Sequence, residues 1–146
     1  HVSWLLYAVC RGHQLAPTKH PMKACVMIPS YNTGPLLEKT VRTALEAWKD
    51  VFVIVDGSTD GSADDLEKLT EGSGHHLRIH KLPENRGKGS AILIGVNLAL
   101  DEGFTHALAM DADGQHPADF IQHFMKEMRQ AILEDRFDAF EEKWGV

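Results

Sequence analysis

The chain has 146 residues, 43% of them hydrophobic and 25% charged, enough for one domain that buries roughly two thirds of its unfolded surface. Its net charge of -6 argues against broad nucleic-acid binding, which depends on clustered Lys and Arg set against phosphates. Two cysteines, Cys10 and Cys25, are too few for a disulfide framework and too far apart for a CxxC motif, so a reducing, cytoplasmic setting is expected.

The chain opens on residues 1–21, which contain the apolar run WLLYAVC (4–10). That run is far shorter than the roughly 20 residues of a membrane span, and it lacks the basic segment of a signal peptide. The regular pattern starts only at Met22, so residues 1–21 are read as an extension without a functional part. Residues 22–128 then repeat one grammar: a short apolar run, a polar or Gly-rich loop, and a segment of helical period.

The first unit has the strand ACVMI (24–28), the loop PSYNTG, and a helix opened by Pro35 with Leu37, Val41, Ala44, Leu45 and Trp48 on one face. The second has VFVIV (51–55), the loop DGSTDGS, and a short helix through Leu66 and Leu69, which Asp60 or Ser62 is expected to cap. The third has LRIHKL (77–82), the loop PENRGKG, and a helix facing inward through Ala91, Ile92, Gly95, Val96, Ala99 and Leu100. Gly95, in mid-helix, is expected to let that helix approach the sheet. The fourth has THALAM (105–110), the loop DADGQH, and a helix from Pro117 through Phe120, Ile121, Phe124, Met125 and Met128.

Residues 129–146 carry Ile132, Leu133, Phe137, Phe140 and Trp144 at helical spacing beside an acidic face, which predicts an amphipathic helix that packs on the core. Apolar strands that alternate with helices of 10 to 15 residues predict parallel βαβ units. The fold class is therefore α/β, a Rossmann-like, open, mainly parallel sheet in three layers. Such a sheet gathers the loops after its strands along its carboxyl edge, where open α/β sheets bind ligands.

The chemistry-bearing residues all fall in those loops. Asp111 and Asp113 flank Ala112 at a strand end, and alternation can direct both carboxylates toward one hard cation, Mg2+ or Mn2+. Gln115 adds a neutral oxygen, and His116 can join with Mn2+. Taken alone, D-x-D fits a solvated turn about as well as a metal site. Asp56 ends the second strand, where it can accept from an N–H of a nucleobase, while Tyr31 and Asn32 can frame that base or simply form a turn. Lys88, between glycines at a helix start, joins free backbone N–H groups and the helix dipole in an anion site, although this spacing is neither G-x-G-x-x-G nor a P-loop.

The motifs VMIPSYN, VIVDGSTDGS, NRGKGSAILIGVNLAL and ALAMDADGQHP, in that order, resemble the nucleotide-sugar-binding half of family-two glycosyltransferases of the GT-A fold. The branch they most resemble is that of polyprenyl or dolichyl phosphate mannosyl- and glucosyltransferases. The resemblance covers about residues 23–128. It implies a UDP- or GDP-sugar donor, Mg2+ or Mn2+, inversion at the anomeric carbon, and a polyprenyl-phosphate or glycan acceptor met at the inner face of the membrane.

Carried onto this chain, it implies that Pro29, Tyr31 and Asn32 line the base and ribose pocket, and that Asp56 bonds the base. It further implies that Ala112 adjoins the donor, that Lys88 is a secondary electrostatic contact, and that Asp111, Asp113 and Gln115 hold the metal, with Asp111 and Asp113 as the catalytic carboxylates. Two departures stand out. Val55 replaces the first of the usual Asp pair before GS, and the residues after Met128 do not resemble the acceptor-binding half. Two other readings remain. One is a binding module without turnover, and the other is a haloacid-dehalogenase-like phosphatase with Asp111 as nucleophile, which ALAMDADGQ also resembles.

Overall fold

The computed structural model describes residues 5–7, 23–113 and 116–145. Among these described residues, five strands form one sheet in the order β1-β5-β2-β3-β4. They are β1 (Leu5–Tyr7), β2 (Ala24–Ser30), β3 (Asp50–Asp56), β4 (His76–Leu82) and β5 (His106–Ala109). β2 pairs in parallel with both β3 and β5, and β3 pairs in parallel with β4, so the expected α/β sheet is present. The opening segment also enters the sheet, because β1 pairs antiparallel with β5 and places Leu6 opposite Leu108.

β2 and β3 are buried along their full lengths, as strands covered on both faces must be. β4 differs from that expectation: it has β3 on one side only, and its His76, His80 and Lys81 are exposed. An edge strand needs little apolar cover, and charge there discourages pairing with other chains. Its Arg78 bonds the buried Asp50 at 3.0 Å and Glu102 at 2.6 Å, and its guanidinium lies over the rings of Phe52 and Phe104.

α1 (Pro35–Ala47) and α3 (Ala118–Leu133) cover one face of the sheet. Pro35 sits in the first helical turn, where its fixed φ suits a helix start and its missing N–H costs nothing. Leu37, Val41 and Ala44 have no exposed surface, and burying a Leu or Val side chain contributes about 1.5–3 kcal/mol. The segment read as a terminal helix divides in two: α3 runs past Met128 to Leu133, and α4 (Phe137–Trp144) follows a turn at Asp135 with φ 53. α4 packs on α3 through Phe140 and Trp144 against Phe124, with ring centroids 5.2 and 4.9 Å apart.

α2 (Lys88–Asp101) covers the opposite face over Met27, Phe52, Phe104 and Ala107. A Cβ on Gly95 would lie 2.6 Å from Met27 Sδ and 2.9 Å from Ile54 Cγ1, so the helix rests on the sheet as closely as the sequence led us to expect. The second unit, expected to carry a short helix, has a 3-10 helix at Leu66–Thr70. Its N-cap is Asp65, which makes no side-chain cap bond, so neither Asp60 nor Ser62 is the cap expected; Asp60 accepts the Gly34 and Ser62 amides instead.

After β4 the chain returns to the far side of β2 to form β5, so the strand order reverses between β2 and β5. The crevice outside their carboxyl ends is the place where a doubly wound sheet accepts a ligand. Among the described residues, no helix is long and apolar enough to cross a membrane.

Candidate active site at the carboxyl edge

The loop after β2 is fastened to the loop after β3. Asn32 adopts φ 46, a left-handed conformation that a short amide side chain tolerates better than most residues. Its Oδ1 accepts the Thr59 N–H at 2.8 Å, and its own N–H donates to Ser58 Oγ at 2.9 Å. Asp60 closes the junction by accepting the Gly34 N–H at 2.9 Å and the Ser62 N–H at 3.0 Å. Pro29 and Ser30 are buried at the base of this loop, and Tyr31 stands 53% exposed above them.

The loop after β3 is fastened in turn to the loop before α2. Asp56 is 3% exposed, with Oδ1 accepting the Arg86 N–H at 2.8 Å and Oδ2 accepting the Gly87 N–H at 2.9 Å. A carboxylate that accepts two amide hydrogens gains charge-assisted bonds that offset its loss of water. Next to it, Gly57 has φ 73, and its backbone lies against those of Glu84 and Asn85. Gly87 is the N-cap of α2 with φ 93, and among the described residues no side-chain bond caps the helix.

Lys88, the first residue of α2, forms an ion pair with Asp111 just beyond β5. The pair joins the third loop to the fourth, with Lys88 54% and Asp111 26% exposed. Ala112 is buried, and its carbonyl lies 3.0 Å from the hydroxyl of Thr40, a fully buried residue of α1. Asp113 is exposed. The His116 ring lies over that of Phe120, and burial lowers its pKa while Asp113 and Asp111 pull it back up.

The expected site residues therefore gather at one edge of the sheet. The ties described here join Asn32 to the second loop, Asp56 to the third, Lys88 to Asp111, and Ala112 to α1. Gln115 lies outside the described residues. Among those residues, no group of three His, Cys, Asp or Glu side chains could hold a metal ion. Of the ligands expected from the sequence, Asp111 and Asp113 are the hard-oxygen donors within the described residues, and a divalent cation held by them would take its other ligands from elsewhere.

Sequence reasoning overlooked Thr40, Ser58, Thr59 and Gly57. Thr40 had a visible signal, since it is a polar residue on the same helical face as Leu37, Val41 and Ala44.

The description of glycosyl transferase family 2 fits residues 25–138 of this chain. The chain is 32% identical over 117 residues to an undecaprenyl-phosphate mannosyltransferase of Micrococcus luteus, with 77% of this chain and 46% of that protein covered. It is 27% identical over 116 residues to a polyprenol monophosphomannose synthase of Mycolicibacterium smegmatis, with 78% and 44% covered. The chain thus spans less than half the length of these relatives.

Among solved structures, it is similar to a mannosyltransferase from Pyrobaculum calidifontis in complex with GDP-Man and Mn2+. The TM-score is 0.59 at 25% identity, covering 75% of this chain and 33% of that one. S. aureus TarS shares the fold, with a TM-score of 0.58 at 22% identity and coverage of 75% and 33%. These likenesses overturn the phosphatase reading, because the match spans all four strand-loop units and not the D-x-D segment alone. With the fold, the order of its loops and the profile in agreement, the chain belongs to glycosyl transferase family 2.

Proposed function

We propose that this chain is the donor-binding part of a metal-dependent, inverting glycosyltransferase that moves a sugar from a UDP- or GDP-sugar to a polyprenyl phosphate or glycan. The observation that carries this reading is the position of Asp111, Ala112 and Asp113 just beyond β5, where the strand order reverses, with Lys88 of α2 on Asp111. A sugar diphosphate laid in that crevice meets a lysine and the uncapped N-terminus of α2, both of which favour anions.

In this reading, Pro29, Tyr31 and Asn32 bound the pocket for base and ribose. Asp56 faces the base, with each of its oxygens keeping lone-pair capacity beyond the one amide it accepts. Ala112 lines the donor site through its backbone. Asp111 and Asp113, with Gln115, are the ligands for Mg2+ or Mn2+, which when bound offsets the charge that grows on the departing nucleoside diphosphate.

The acceptor oxygen forms a bond to the anomeric carbon from the face opposite the diphosphate. The bond from that carbon to the diphosphate oxygen breaks, and its electron pair leaves with the nucleotide, so the configuration inverts. A lipid phosphate brings an oxygen that is already anionic, and this chain then needs no general base. A polyprenyl acceptor would also bring the reaction to a membrane surface, in this reading the cytoplasmic one.

The test is thermal unfolding with GDP- or UDP-sugar, with and without Mn2+. A ligand at a hundred times its Kd raises stability by about 2.7 kcal/mol. A rise in midpoint that needs Mn2+ and disappears in Asp113→Ala supports the reading, and no metal-dependent rise overturns it. A binding module without turnover is the second reading. Sugar-lipid product from polyprenyl phosphate decides for the transferase, whereas binding without product decides for the module.

A further inference from the structure

We infer that Lys88 is a built-in latch on the metal site, holding Asp111 until metal and nucleotide diphosphate arrive together. The inference rests on the donor-site reading above and adds a coupling between its two ligands. The Lys88 ammonium bonds Asp111 Oδ1, so a positive charge already stands at the carboxylate that the metal would use. A divalent ion arriving alone must either displace that bond or take the remaining lone pairs of Asp111, and in both cases it lies within a few ångströms of the ammonium.

A nucleotide diphosphate removes the conflict. Its oxygens give the ammonium a second anionic partner at the N-terminus of α2, and they give the metal further oxygen ligands. Lys88 can then shift from carboxylate to phosphate while Asp111 turns to the metal, and neither cation is left facing the other. Each ligand therefore prepares the site for the other, and linkage requires the two enhancements to be equal.

The frame supports a shift of side chain without a shift of backbone. Lys88 begins α2 directly after Arg86 and Gly87, whose amides are held by the buried Asp56. Its own side chain is 54% exposed and has room to move. The main chain beside Lys88 is thus tied down, while its ammonium is held through the bond to Asp111, which is the arrangement a latch requires.

The experiment is a Mn2+ titration of the 146-residue chain, read from the loss of the free-ion electron paramagnetic resonance signal, with and without GDP or UDP. Lys88→Met and Lys88→Arg are compared with the parent, and circular dichroism checks that each is folded. Removing one positive charge from beside a divalent ion should tighten Mn2+ binding without nucleotide by about tenfold in Lys88→Met. The tightening produced by nucleotide should shrink in the same variant, and Lys88→Arg should stay near the parent in both.

If Lys88→Met binds Mn2+ alone no more tightly than the parent, while nucleotide still tightens all three proteins, the latch is overturned and the donor site stands. If none of the three binds Mn2+ with either nucleotide, the donor site is overturned and the latch with it.

Discussion

The backbones of Gly57 and Asn85 touch: a Cβ placed on Gly57 would lie 2.3 Å from the Asn85 nitrogen. No side chain can relieve that contact, because the atoms that would collide belong to the main chain of the neighbouring loop. Gly57 also has φ 73, where a side chain costs roughly 1–2 kcal/mol even in open space. Gly57→Ala should therefore lower stability by about 2 kcal/mol or more, read as a reduced urea midpoint. An unchanged midpoint would show that the two loops separate without cost.

Asp56 tests the same junction from its polar side. Asp56→Asn keeps the size but offers one amide oxygen and one NH2 group to two N–H donors. One of the Arg86 and Gly87 amides then loses its acceptor in a buried place, at a cost of about 1–3 kcal/mol. Hydrogen exchange at those two amides should speed up in the variant more than exchange in β2. Equal protection in both proteins would argue that the carboxylate does not hold the loop.

His106, 9% exposed at the start of β5, makes stability depend on pH. Burial lowers its pKa below the ordinary 6.5, so the unfolded chain takes up the proton first as the pH falls. The stability from the neutral ring is intact above pH 6.5 and is lost as the pH drops through that value toward the folded pKa. Denaturation midpoints of the parent should fall more steeply between about pH 7 and about pH 5 than those of His106→Gln. Parallel slopes would contradict this.

Cys25 lies within β2 with no exposed surface, and burial, reinforced by the nearby Asp50 carboxylate, pushes its thiol up to about 12. The thiolate is the reactive form, so native Cys25 should resist a thiol reagent at pH 8. In a Cys10→Ser background, labelling should proceed at the rate of unfolding and be immediate in denaturant. Rapid labelling of the native chain would show that the sheet opens locally.

Much of the architecture was legible because burial imposes periodicity. The apolar runs ending at Val55 and Met110 announced strands, and Leu37, Val41 and Ala44 announced the covered face of α1. β1 was missed because a three-residue edge strand in a segment without alternation carries almost no pattern. The turn at Asp135 that separates α3 from α4 was missed for a related reason: the apolar spacing of Ile132, Phe137 and Phe140 continues across it.

At the site, residue types located the loops but not the ties between them. Lys88 was read as a phosphate contact, yet it reaches Asp111, a residue 23 positions away that only the parallel crossover brings near. Ala112 and Arg86 hold their places through a carbonyl and an amide, groups that every residue except proline also supplies in full. Nothing in the letters A and R could have announced those bonds.

The ties made by Asn32, Asp56, Asp60 and Thr40 share this property: each joins one side chain to the main chain of another segment. The bonds at Arg86 and Thr59 therefore do not depend on which side chain stands there, proline aside. Arg86 and Thr59, both exposed, can change identity while the frame of the crevice keeps its shape. On the proposed donor reading, a sheet edge fastened in this way can be turned toward a different sugar or nucleotide by single substitutions, without first being rebuilt.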